Sequence, residues 1–167
     1  MRYLALTAVL ALALVGAASA AGKPTIVTEQ VDETNIGVID CGTVALDERV
    51  LGAVKVRSFM ENGELRRELS TFRLKHTFTN PVTGASLTTP DVGTDRFTIH
   101  EDGSATLMVI GIVARVVVPG EGFVAGQIGQ LRLVFAGPDD MDPDVILETG
   151  HQDPDEALDA ALCEALA

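Results

Sequence analysis

Residues 104–120 read SATLMVIGIVARVVVPG, the most apolar stretch beyond the N-terminal leader, broken by one charge at Arg115. To Pro119 it is shorter than the about 20 apolar residues that cross a bilayer as a helix. It follows an Asp102-Gly103 turn signal and is rich in β-branched residues from Val109 to Val118, so it reads as a strand. Both parities are apolar: Leu107, Val109, Val113 and Val117 on one face, Met108, Ile110, Ile112, Val116 and Val118 on the other. Such a strand needs cover on both faces, and Gly111 allows the sharp coiling of a sheet that curls on itself. The expected cover for the outer face is the C-terminal helix or a partner chain.

The neighbouring runs alternate more simply. Phe97 and Ile99 alternate with Arg96, Thr98 and His100, while Leu131, Leu133 and Phe135 alternate with Gln130 and Arg132. In 71–79 the apolar set is Phe72, Leu74 and Phe78, with Arg73, Lys75, Thr77 and Thr79 on the reverse face. Leu65 and Leu69 upstream have the opposite parity, which predicts a bulge or bend near Ser70-Thr71. Asn62-Gly63 and Asp102-Gly103 are hairpin signals, because two-residue loops need positive φ at their centre. Asn80-Pro81-Val82-Thr83-Gly84 and Pro119-Gly120-Glu121-Gly122 are turns as well. The fold class expected is all-β: an antiparallel meander barrel, or sandwich, with one C-terminal helix. That helix starts with Asp153 as cap, Pro154 at the first position and Asp155-Glu156 at the positive dipole end, then carries Leu158, Ala161, Leu162 and Leu166 at helical spacing.

The first residues have a different character. Arg2, the apolar run Leu4 to Val15 and the small triplet Ala18-Ser19-Ala20 form a secretory signal peptide over 1–20. Residues 21–167 are then a single secreted domain with an acidic C-terminal loop and helix. Losing Arg2 leaves 11 basic against 24 acidic side chains, a net charge of −13. Such a field repels nucleic acid and anionic headgroups, so neither nucleic acid nor, after processing, a membrane is expected as partner. The charge is uneven: residues 139–164 hold ten carboxylates and no Lys or Arg, whereas residues 55–75 hold six basic side chains. Cys41 and Cys163 are the whole cysteine complement, and export favours their pairing as a disulfide.

These features, namely the leader, the early Cys41, the turn at 77–84, Asp102-Gly103-Ser104 and the terminal Ala-Leu-Cys-Glu-Ala-Leu, resemble small secreted β-barrel proteins of actinobacteria, a group of uncharacterised function. The resemblance covers most of the secreted part but rests on turn chemistry. It implies a barrel and carries over no functional residue.

Catalytic motifs are thin. There is no metalloprotease, nucleophile-elbow or phosphate-loop pattern, and Gly120, Gly122 and Gly126 miss the dinucleotide spacing. Residues 139–144 invite a calcium reading, but Val145 and His151 stand where a calcium loop needs glycine and glutamate, so no metal and no cofactor is expected. His76 shares parity with Phe72, Leu74 and Phe78, so its imidazole is expected to point inward, as a hydrogen-bonded core histidine in preference to a neutral ring acting as acid or base. His100 and His151 read as surface residues beside carboxylates.

Three function classes remain. The first is binding of a small apolar ligand inside the barrel, lined by Phe72, Leu74, His76, Phe78, Phe97, Ile99, Leu131, Leu133 and Phe135. The second is a structural or protein-interaction module of the cell envelope, with a homodimer as its simplest form. The third is a barrel cyclase or isomerase using His76 with Arg115. With no Trp, and Tyr3 lost with the leader, sugar binding by ring stacking is not expected.

Overall fold

The computed structural model describes residues 23–167 apart from 119, 138, 139 and 141. The predicted signal peptide lies outside the described residues, as do Pro119 and Asp139.

The hairpin chemistry read from the sequence sets the topology. Asn62 and Gly63 take φ of 52° and 86° and join β2 (Ala45–Glu61) to β3 (Glu64–Thr79) in a two-residue turn. Gly103, at φ 85°, helps close the loop between β4 (Ser86–Ile99) and β5 (Ala105–Val118), where the His100 N–H donates to the Ser104 carbonyl. The turn after β3 is organised by Asn80. Its Oδ1 accepts the N–H groups of Val82 and Thr83, and its Nδ2 donates to the Leu166 carbonyl at 2.9 Å. With β6 (Gly122–Phe135) the middle of the chain is the expected antiparallel meander. Two further strands, β1 (Thr25–Asp40) and β7 (Asp144–Gln152), extend it to seven in the order β1 to β7. The sheet is not closed: β1 and β7 are its two edges and do not pair with each other among the described residues.

Register assigns every strand residue a face. Phe72 pairs with Gly93, and Gly93, Gly111, Gly129 and Gly150 stand opposite one another across four strands. Gly111 has φ 154°, and a Cβ there would meet the Val92 carbonyl oxygen at 2.3 Å, so no side chain fits this line of the sheet. The sheet curls toward the glycine face. Ile39 and Leu46 at one edge share a buried cluster with Phe78 and with Val116 and Ala125 from β5 and β6.

Helix α1 (Asp155–Ala165) plugs one end of this inner face with Leu158, Ala161, Leu162 and the adjoining Leu166. Burying each leucine contributes about 2 kcal/mol. The Cys41–Cys163 disulfide, with Cα atoms 5.5 Å apart, fastens the helix to the turn after β1.

Besides the β5 alternation, which flips at an irregularity between Ile112 and Ala114 so that Val116 turns inward and Val117 outward, three expectations change here. First, the ladders on both sides of β3 run unbroken through Ser70-Thr71; the β2–β3 irregularity lies at Phe59/Met60 instead. Leu69 therefore stays on the outer face, where Arg57 and Arg96 flank it and their aliphatic stems can cover it. Second, Pro154 rather than Asp153 is the helix cap residue, because its ψ of 154° is extended. The Asp153 carboxylate accepts the Gly126 N–H and pairs with His151 instead. Third, the helix covers the inner face, so the outer face of β5 is bare and Ile110 is 47% exposed. That face also carries Arg49, Lys55, Arg57, Arg67, Arg73, Lys75, Arg96, Arg115 and Arg132, all exposed.

Candidate functional site

The nine residues expected to line an interior do share one face. Phe97 pairs with Leu107 and through it with Leu133; Ile99 pairs with Ala105 and through it with Phe135; Val109 joins Asp95 to Leu131. Phe72, Leu74, His76 and Phe78 occupy the same face of β3. Phe72 and Phe78 are buried and the other seven partly so. Phe97 and Phe135 meet edge-on with centroids 6.4 Å apart.

The inner face is not purely apolar. Parity counted back along β4 from Phe97 reaches Asp95 and Asp91, and parity on β2 brings Glu48 opposite Phe78. Two of these carboxylates, Glu48 and Asp91, flank His76, while Asp95 lies further along β4 opposite Ser70. Glu48 Oε1 lies 2.7 Å from Nδ1, and Asp91 Oδ2 stands 3.4 Å from Nε2, an ion-pair distance without hydrogen-bond geometry. Asn35 Nδ2 donates to the second oxygen of Glu48 at 3.1 Å, and the Phe78 ring stacks beside the imidazole. Burial opposes a charged ring, but Asp91 and Glu48 outweigh it and push the His76 pKa up to about 9. Burial first, then the negative charge of Asp91, push Asp95 up to about 6. Glu48 is held below its ordinary value: its bonds from His76 and Asn35 overcome its burial.

His76 is the inward, hydrogen-bonded histidine expected, but the neutral ring that an acid–base role needs is not found. It is an imidazolium clamped between two carboxylates, and a general base poised near neutral pH it is not. Arg115 does not join it. That side chain is exposed on the outer face, and only its backbone N–H reaches inward, to the Thr89 hydroxyl at 2.8 Å. Asp91 Oδ1 and Asp95 Oδ1 are buried acceptors without a hydrogen bond.

Comparisons with protein-family models, with curated proteins and with solved structures each gave no match.

A hollow of about 90 Å³ lies against Val109, Gly111, Gly129 and Leu131, with Gln127 and Gln152 at its side. A second, of about 170 Å³, lies between the β5–β6 hairpin at Val118, Glu121 and Val124 and the helix at Ala161, Glu164 and Ala165. Both fall below the roughly 300 Å³ at which small-molecule sites begin. Among the described residues no group of three His, Cys, Asp or Glu side chains is placed to hold a metal ion.

Other residues stand out only in three dimensions. β7 is exposed almost throughout, with Val145 57%, Ile146 52% and Leu147 38% exposed, and β1 leaves Ile26, Val27, Ile36 and Val38 open to solvent. His151 and His100 are surface residues beside carboxylates, as expected: His151 lies 2.7 Å from Asp153, and His100, near Asp102, also bonds Thr106 at 2.8 Å.

Proposed function

We propose that the protein is a non-catalytic interaction module that works outside the cytoplasm and recruits a partner through its sheet edges. The observation that carries this reading is the pair of edge strands, β1 of 16 residues and β7 of 9, each paired on one side only and exposing aliphatic side chains beside an open backbone edge. An open edge of this kind is a template for strand addition. The first partner to test is a second copy of the chain, and a disulfide suits an oxidising compartment. Hydrogen exchange and light scattering across a concentration series provide the test. Assembly should slow exchange in β7 or β1 and be lost on Val145→Glu with Leu147→Glu. Edge amides that exchange freely at every concentration, alone and with an extract of the native cell surface, would sink the reading.

A second reading is binding of a small apolar ligand on the inner face, favoured by the hollow beside Val109 and Leu131. At about 90 Å³ it suits the end of an aliphatic chain better than a ring system. Solvent extraction of protein from its native host, followed by titration of the stripped protein with a fluorescent apolar probe, separates this reading from the first. The likeness to small secreted β-barrel proteins is compatible with either.

A further inference from the structure

The arginines of the outer face lie in register. Cross-strand pairing links Arg57 on β2 to Leu69 on β3, Leu69 to Arg96 on β4, Arg96 to Met108 on β5, and Met108 to Arg132 on β6. The row ends in apolar residues at both edges, Ile26 opposite Arg57 and Leu147 opposite Arg132. One line across all seven strands thus alternates aliphatic side chain and guanidinium. With strands about 4.8 Å apart, successive arginines stand about 10 Å apart along it.

The chain has twice as many acidic as basic residues, 24 to 12. Arginines scattered in such a sequence would be expected to find carboxylates. Among the described residues Arg57, Arg96 and Arg132 form no ion pair; the Arg pairs are Arg49 with Asp32 and Arg66 with Glu61 and Glu64. Strand parity is the cause. It sends Glu29, Glu33, Glu48, Glu68, Asp91, Asp95 and Glu148 to the inner face and nine exposed cations to the outer one. The net charge therefore describes the molecule and not this surface. Three exposed guanidiniums without carboxylate partners can accept anionic groups at no cost in broken ion pairs.

We propose that the arginine row binds a linear anionic polysaccharide laid across the strands. Its carboxylate or sulfate groups meet Arg57, Arg96 and Arg132, and its sugar C–H faces pack on Leu69 and Met108 between them. Shape favours this occupant. The sheet curls toward its inner face, so the row runs over a convex surface that a flexible polymer can follow and a flat bilayer touches only along a narrow strip. No aromatic ring stands in the row, and the neighbouring Phe59 ring is covered by the Arg67 guanidinium 4.1 Å from its centroid, so base stacking has little to rest on. Absence of Trp is no obstacle, because charge rather than ring stacking holds the sugar. The contacts proposed, Arg57, Leu69, Arg96, Met108 and Arg132, lie on β2 to β6 between the two edges, so the inference is tested separately from the edge-pairing proposal.

The test is binding of the mature, disulfide-bonded protein to immobilised heparin and to polygalacturonate at about 50 mM salt, with affinity falling as salt rises by counterion release. The triple variant Arg57→Gln, Arg96→Gln, Arg132→Gln should lose about tenfold or more. The off-row triple Arg49→Gln, Lys75→Gln, Arg115→Gln removes the same formal charge and should lose about threefold or less. The triple variant Arg57→Lys, Arg96→Lys, Arg132→Lys keeps the three charges in register and should retain most of the binding. Circular dichroism checks that each variant folds. Failure of the native protein to bind either polymer, or equal loss in the two Gln triples, would overturn the proposal. So would equal or tighter binding to single-stranded DNA or to phosphatidylglycerol vesicles.

Discussion

Phe72 lays its ring against the bare Cα of Gly93, its direct cross-strand partner. A Cβ on Gly93 would stand 2.7 Å from Phe72 Cζ and 2.6 Å from the Ile110 carbonyl oxygen. The ring can turn aside but the backbone cannot. Gly93→Ala should therefore destabilise by about 2–3 kcal/mol. Chemical denaturation measures this, and a change within about 0.5 kcal/mol would show that the sheet is not drawn tight along its glycine line.

The clamp around His76 makes stability depend on pH. The folded pKa of about 9 lies above the ordinary 6.5, so the stabilisation is complete below about pH 6.5 and lost as pH rises through 9. Asp95, at about 6 against 3.8, is favoured protonated in the fold, so its ionisation penalises folding progressively as pH rises from about 4 through 6. Both effects act in the same sense. Glu48, held below its ordinary value, acts in the opposite sense: its contribution is present above about pH 4.5 and lost as pH falls further. The melting temperature should peak in the mildly acid range and decline steadily toward pH 9; a profile rising from pH 6 to 9 would contradict the clamp.

Two substitutions separate the partners. Asp95→Asn removes a buried charge that nothing pairs, and should stabilise by about 1–2 kcal/mol at pH 7.5 while changing little at pH 4. His76→Gln leaves Glu48 and Asp91 facing each other without a cation and should cost about 2 kcal/mol near neutrality. It should also flatten the pH dependence between 6.5 and 9. Urea titrations at the two pH values give both quantities.

Cys41–Cys163 closes a loop spanning 122 residues, so replacing both cysteines with serine should cost up to about 4–5 kcal/mol in the chain-entropy model. At this chain length that lowers the melting temperature by roughly 10 °C or more. Leu158, Leu162 and Leu166 remain to hold the helix, so hydrogen exchange should quicken first in α1 and leave the β3–β4 ladder protected.

Calcium should change little. Asp140 uses its two carboxylate oxygens to accept the Ala136 and Asp142 N–H groups at 2.7 and 3.1 Å, closing its own loop. Calorimetric titration with millimolar calcium should show no saturable heat. Heat that vanishes on Asp140→Asn would reveal a site.

Local patterns in the sequence determined the meander, the hairpins at Asn62-Gly63 and Asp102-Gly103, the terminal helix and the inward set from Phe72 to Phe135. Turn geometry and alternation act over a few residues, so single segments carry them. Parity followed only from Phe97 onward missed Asp91 and Asp95, although the same alternation continues back through Gly93. The edge strands escaped because β1 and β7 bury little and so show little alternation between apolar and polar residues. Tertiary structure alone decided that Glu48 and Asp91 close on His76, and that Arg57, Arg96 and Arg132 fall on one line. Both depend on the register between strands far apart in sequence, and register is a property of the assembled sheet that no single strand encodes.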